Sequence, residues 1–195
     1  MSKQISLVIV LLIIAGFISM ALVLLGKIPA IVFSVASIGG LIFWLLTTYK
    51  TPIDTKKIIV PYLLAVLFFI IHVYEEYLTD FEVAMTDITG FHMLEMNFLT
   101  VAAFVAPALW VTGAILLIRK THVGYYFLSF FFIAMTMAEL AHFVFPFLED
   151  GTFHYVSGMY TAALPLVPAG YGMYVTIKEI QRIQQKPESD LNEVV

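Results

Sequence analysis

From residue 5 onward the chain runs apolar for stretches of about 20 residues, broken by short polar clusters. It shows neither the strict alternation of a strand nor the one-sided stripe of a soluble helix. A helix needs about 20 apolar residues to cross a hydrocarbon layer roughly 30 Å thick. Six segments meet that length: 5–25, 28–48, 58–78, 97–118, 122–148 and 157–177. The first follows MSKQ, but its apolar run is longer than a signal peptide's and no small-residue cleavage site follows, so it reads as a retained helix. Between spans 3 and 4, TDFEVAMTDITG mixes apolar and acidic residues and predicts a short surface helix.

The polar breaks set the direction of the chain. Lys3, Lys50, Lys56, Lys57, Arg119, Lys120, Lys178, Arg182 and Lys186 all fall on one side of an alternating six-span path. Of the ten basic residues, only Lys27 falls on the other. The positive-inside rule makes that basic side cytoplasmic. The expected architecture is all-α: a six-span transmembrane bundle over residues 1–177, both termini cytoplasmic, followed by a polar cytoplasmic tail, 178–195, with its helix ending near Pro187. Composition agrees. Hydrophobic residues make up 61% of the chain and charged residues 12%, against about 25% charged in soluble domains. A multi-pass protein of a cell membrane, with the lipid bilayer as its first partner, is the expectation. With no basic cluster, nucleic acid is not an expected partner. With no cysteine, disulfides, thiolate metal sites and cysteine nucleophiles are excluded.

Against this apolar background, ionisable side chains within the spans stand out. Spans 1, 2, 4 and 6 carry none in their apolar stretches. Span 3 carries His72, Glu75 and Glu76, and span 5 carries Glu139 and His142. At 1.5 Å per residue, His72 lies about 12 Å before Asp80 and Glu139 about 15 Å before Glu149, below the wet rim. A charge at mid-membrane costs roughly 2.5–3.5 kcal/mol, so five such groups are expected to face protein, water or a bound cation. His72 and Glu75 are i,i+3, His72 and Glu76 i,i+4, and Glu139 and His142 i,i+3, so each set can share a helix face. His154, opening span 6 on the same side, is placed to cover a pocket between spans 3 and 5. Tyr74, Tyr155, Ser157 and Thr161 can add hydroxyls. Gly39-Gly40 suits close helix contact, and Pro165 and Pro168 are expected to bend span 6.

Two chemistries fit these residue types. Imidazoles and carboxylates suit a divalent metal (zinc, iron or manganese), and Glu-x-x-His on inward-facing helices is an arrangement that carboxylate-metal proteins use. His72-Val-Tyr-Glu75-Glu76 also approaches the inverted zincin pattern H-x-x-E-H, with glutamate in place of the second histidine. The metal set is then His72, Glu76 and His142, with His154 as a further candidate, and Glu75 or Glu139 remains as general base. Alternatively, crowded carboxylates hold protons and perform acid–base chemistry on an apolar substrate without a metal.

The blocks His72-x-x-Glu75-Glu76, Glu139-x-x-His142, and His154-Tyr155 with Gly158 and Thr161-Ala162 resemble the HXXEE-domain family of small integral membrane proteins. The likeness spans about residues 58–180. It implies the same candidate site and a metal-dependent activity, and it names no substrate. The leading expectation is a membrane-embedded, metal-dependent enzyme, hydrolase-like or otherwise lipid-modifying, acting on a lipid or other apolar substrate. A cation- or proton-binding transporter or sensor, a metal-free isomerase, and an accessory subunit whose polar pairs lock helices together are the alternatives.

Overall fold

The computed structural model describes residues 2–149 and 151–185. It is helical throughout, with no strand among the described residues. The long helices are α1 (Lys3–Leu24), α2 (Lys27–Leu46), α3 (Ile59–Leu78), a continuous run Glu95–Ile118, α7 (His122–Ala141) and α9 (Ala163–Gln184). Short elements join them. A 3₁₀ turn, Thr55–Lys57, precedes α3. The predicted surface helix appears as α4 (Phe81–Thr89), entered through Asp80 at φ 54° and closed by Gly90 at φ 67°. The run Glu95–Ile118 begins as α5 (Glu95–Phe98), widens into a π-helical segment at Leu99–Val105, and continues as α6 (Ala106–Ile118). Pro107 sits at the junction. It has no N–H to donate, and the backbone before it settles into the wider register.

Five of the six expected spans are long and apolar enough to cross a membrane; α9 is not among them. Pro165, Pro168, Gly170 and Gly172 dilute its apolar residues, and Lys178, Glu179 and Arg182 occupy its last turns. It is one helix through both prolines: Pro165 lies in the first turn, where backbone N–H groups have no intrahelical partner anyway. Span 5 is shorter than expected. Helix α7 ends at Ala141, the bonds Phe143 N–H to Leu140 O (3.2 Å) and Val144 N–H to Ala141 O (2.8 Å) tighten the chain, and the short α8 (Phe145–Glu149) follows, with Pro146 inside it. The start of α9 is likewise later than residue 157, because 152–162 forms a loop and turn. Of the tail, residues through Gln185 are described; Pro187 lies outside them.

Helix α7 is the axis of the bundle. Its apolar window is 72% buried against 44% for α3, the next. It packs against α1, α2, α3, α6 and α9. Small residues on the neighbours bring the backbones close. A Cβ added at Gly40 of α2 would meet Phe130 Cα at 2.5 Å, one at Gly113 of α6 would meet Phe127 Cβ at 2.7 Å, and Gly172 of α9 lies against the Phe132 ring. Tyr62 of α3 donates to Trp110 O of α6 (2.9 Å), and Tyr125 of α7 donates to Ile53 O (2.6 Å). Helices α3 and α9 run antiparallel. Lys57, before α3, pairs with Glu179 near the end of α9 at 2.8 Å, while the end of α3 meets the chain that leads into α9.

Leucine at Gly40 or Gly172 overpacks these contacts and is expected to cost about 1–3 kcal/mol, read as a lower midpoint of unfolding in detergent. Gly16→Leu, where nothing lies within 4 Å of an added Cβ, leaves the midpoint unchanged. Equal midpoints for all three would show that α7 is not the packing axis.

Candidate metal centre

The last turn of α3 and the last turn of α7 meet at one end of the bundle. His72 and Glu76 lie one turn apart on α3. Glu139 lies on α7, and His142 just beyond its end, on the tightened turn that Pro146 follows. All four are buried, with Glu139 at 1% and His72 at 2% exposure. His72 Nε2 lies 3.2 Å from His142 Nε2, 3.1 Å from Glu139 Oε2 and 3.5 Å from Glu76 Oε1, and His142 Nε2 lies 3.4 Å from the same Glu76 oxygen.

The outer nitrogens determine what the inner ones can do. His142 Nδ1 faces Ser157 O at 2.9 Å. A carbonyl only accepts, so Nδ1 carries the proton. His72 Nδ1 faces Thr161 Oγ1 at 3.1 Å, and that hydroxyl donates its single hydrogen to Glu75 Oε2 at 2.5 Å. His72 Nδ1 must therefore donate as well. Both neutral rings then turn Nε2 lone pairs toward each other and toward two carboxylates. With the carboxyls ionised there is no donor among these groups: His72 Nε2, His142 Nε2 and Glu76 Oε1 meet one another, and Glu139 Oε2 meets His72 Nε2. Glu139 Oε2 is buried and makes no hydrogen bond among the described residues. Such a cluster needs a shared proton, on an imidazole or on a carboxyl group, or a metal ion between its acceptors.

Spacing bears on which. Tetrahedral ligands at zinc-like bond lengths of about 2.0–2.2 Å stand roughly 3.3–3.6 Å apart. The two separations to Glu76, 3.5 and 3.4 Å, lie in that range, and those of His72 to His142 and to Glu139, 3.2 and 3.1 Å, are slightly shorter. His72, Glu76 and His142 form a group that could hold a metal ion, and Glu139 stands beside them.

Glu75 serves differently. Its side chain leaves the cluster and accepts four hydrogen bonds: from Tyr155 Oη (2.7 Å) and Tyr160 N (3.1 Å) on one oxygen, and from Thr161 N (2.7 Å) and Thr161 Oγ1 on the other. Burial and the bond to Glu75 raise the Tyr155 phenol above its ordinary value, which keeps it a donor. Glu75 thus ties the end of α3 to the 155–161 loop and fixes the Thr161 hydroxyl on which His72 rests. Of the two glutamates expected as base, Glu139 faces the imidazole nitrogens, and Glu75 acts through Thr161. His154 lies in the loop with Nδ1 facing Thr152 O at 3.1 Å and is not brought into the group. Tyr74 points outward, 62% exposed.

The loop closes over the site at Ser157 and Gly158. Ser157 Oγ contacts Thr79 Oγ1 (2.6 Å) and donates to Glu76 O (3.3 Å). Gly158 has φ 89°, and a Cβ there would meet His142 Cε1 at 2.5 Å and His72 Cε1 at 3.0 Å. Only glycine combines that backbone with that proximity. On the remaining side, Phe81 and Phe145 lie against the His142 ring, with centroids at 5.7 and 5.4 Å. Sequence reasoning placed Gly158 near the site without a role and did not reach Thr79. Chain spacing gave no sign of either, since both act through the loop's return path.

No family model, curated protein or solved structure matches the chain.

Thr161→Val removes the hydroxyl between Glu75 and His72 and leaves a carboxylate short of a donor. A loss of about 1.5–3 kcal/mol is expected, measured by thermal unfolding in detergent, with Thr161→Ser restoring most of it. If valine is tolerated without change, the relay carries no load.

Proposed function

We propose that the chain is a multi-pass protein of a cell membrane and an enzyme that uses a divalent metal held by His72, Glu76 and His142. The observation that carries this reading is the convergence of two imidazole lone pairs and the Glu76 carboxylate, buried, at ligand-to-ligand spacing, with Glu139 beside His72. Zinc, iron and manganese all accept such a donor set. Glu139 either completes the coordination or takes a proton from a metal-bound water as general base. Thr161 with Glu75, and Ser157 through its carbonyl, are the outer partners that metal-bound histidines ordinarily have. The three sequence blocks of the HXXEE resemblance meet at this one place, which supports membership of that family.

The six-span topology is part of the proposal, with α9 as the sixth span. Lys3 lies over the Tyr49 ring at 5.6 Å, Tyr49 lies beside His122, and Lys57 pairs with Glu179. The basic breaks therefore gather at one end of the bundle, which the positive-inside rule makes cytoplasmic. The metal centre then lies toward the outer face. Transport is less well supported, because the ionisable cluster lies at one end of the helices, and no comparable buried cluster continues it toward the basic end among the described residues.

Protein purified in detergent without chelator is expected to carry about one transition metal per chain, by mass spectrometry of the metal. His72→Ala and His142→Ala abolish it, and Thr161→Val weakens affinity about 10–100-fold. A folded wild-type protein that takes up no zinc, iron or manganese would refute the metal reading and leave protons as the shared cation.

A further inference from the structure

A cavity of about 130 Å³ leads away from the cluster. Its wall is drawn from every α-helix except α9, together with the π-helical segment. Among the described residues, the ionisable side chains that line it are His72, Glu76, Glu139 and His142, all at one end, with no lysine or arginine. The far end reaches Phe17, Trp110 and Phe130. Phe17 is seven residues from the end of α1, about 10 Å along the helix. On the side of α2, Pro29, Val32 and Phe33 are half-buried, and Ile28 is the most exposed lining residue at 37%. The opening is therefore beside the first turns of α2, through the side of the bundle.

We infer that this cavity binds a single-chain apolar molecule with a neutral oxygen function at one end, such as a long-chain alcohol or its ester, taken in sideways from the lipid past α2. Three features select this class. The wall gives the first carbons of an alkyl chain apolar contact like that of the lipid they leave, in a volume close to the roughly 150 Å³ that holds one benzene, while the rest of the chain stays in the bilayer through the opening. The reactive groups lie at one end, so one terminus of the ligand meets them and the rest does not. Two carboxylates already offset the charge of a divalent ion and no basic residue stands among the described lining residues, so no net positive charge remains for a phosphate headgroup, which disfavours a phospholipid as the occupant. The lateral opening suits a ligand already dissolved in the bilayer and avoids dragging its chain through water. The inference rests on the proposed site for the ligand's reactive end, but the binding of the chain is separable from the metal.

The test uses the full-length protein in phosphatidylcholine nanodiscs, loaded with zinc, and hexadecanol carrying a diazirine in its chain. Photolabelling is expected on cavity residues such as Phe33, Met93 and Val101, and unlabelled hexadecanol should displace it. Ala134→Phe fills the interior and Val32→Trp obstructs the opening. Each should lower labelling at least about tenfold, a loss of roughly 1.4 kcal/mol in binding, while zinc content remains that of wild type. Leu12→Trp, on an exposed position of α1, leaves labelling unchanged. Equal labelling of wild type and both cavity variants would overturn the inference, as would zinc-loaded wild type without cavity labelling. So would displacement by lysophosphatidic acid as effective as by hexadecanol. Cavity labelling that both variants abolish, in protein that holds no zinc, would sustain the inference while the metal reading fails.

Discussion

The arrangement of this protein turns on a conflict among lone pairs. Two histidines are forced into one tautomer by acceptors behind them, Ser157 O for His142 and the Thr161 hydroxyl for His72. Their free nitrogens then face each other at 3.2 Å with carboxylates alongside. Buried in apolar surroundings, such a group of acceptors is strongly unfavourable unless a proton or a metal ion is shared among them. The fold supports the conflict rather than relieving it. Gly158 lets the loop press on both rings, Glu75 anchors that loop to α3, and Phe81 and Phe145 shield the His142 ring. Packing thus keeps together a group of side chains that could hold a metal ion.

Much of this was legible in the sequence. Apolar run lengths located four helices to within two residues at each end and the start of a fifth, α7, and their ionisable exceptions marked His72, Glu76, Glu139 and His142, because isolated charges among apolar residues demand partners. The i,i+3 and i,i+4 spacings fixed which residues share a face, and that local geometry survives folding. The end of α7 was less legible. The apolar run continues past His142 through FVFPF, and hydropathy alone does not register the tightening before Pro146 that turns His142 inward.

The roles of Glu75, His154 and Gly158 depend on long-range return of the chain, which spacing does not encode. Glu75 neighbours Glu76 in sequence yet faces a different partner, since adjacent helical residues point about 100° apart and the 155–161 loop happens to cross that side. His154 has the right chemistry four residues too early. The loop must turn back at Gly158, and only Ser157 to Thr161 reach the rings. A glycine with φ 89° looks like any other glycine until the neighbouring imidazoles are located.

The burial of α7 has a consequence for how the chain is made. Four long helices, α1, α2, α3 and the run Glu95–Ile118, precede it from the ribosome, among them α2, whose Gly40 face lies against the Phe130 backbone. Until α7 emerges, that face has no partner, and the first half of the protein waits with its central slot unfilled. Two of the four acceptor side chains arrive on α3 and two with α7, so the centre cannot form before the fifth long helix is synthesised. The 155–161 loop then seals it only as the last helix docks. Completion of the site and completion of the bundle are one event in biogenesis.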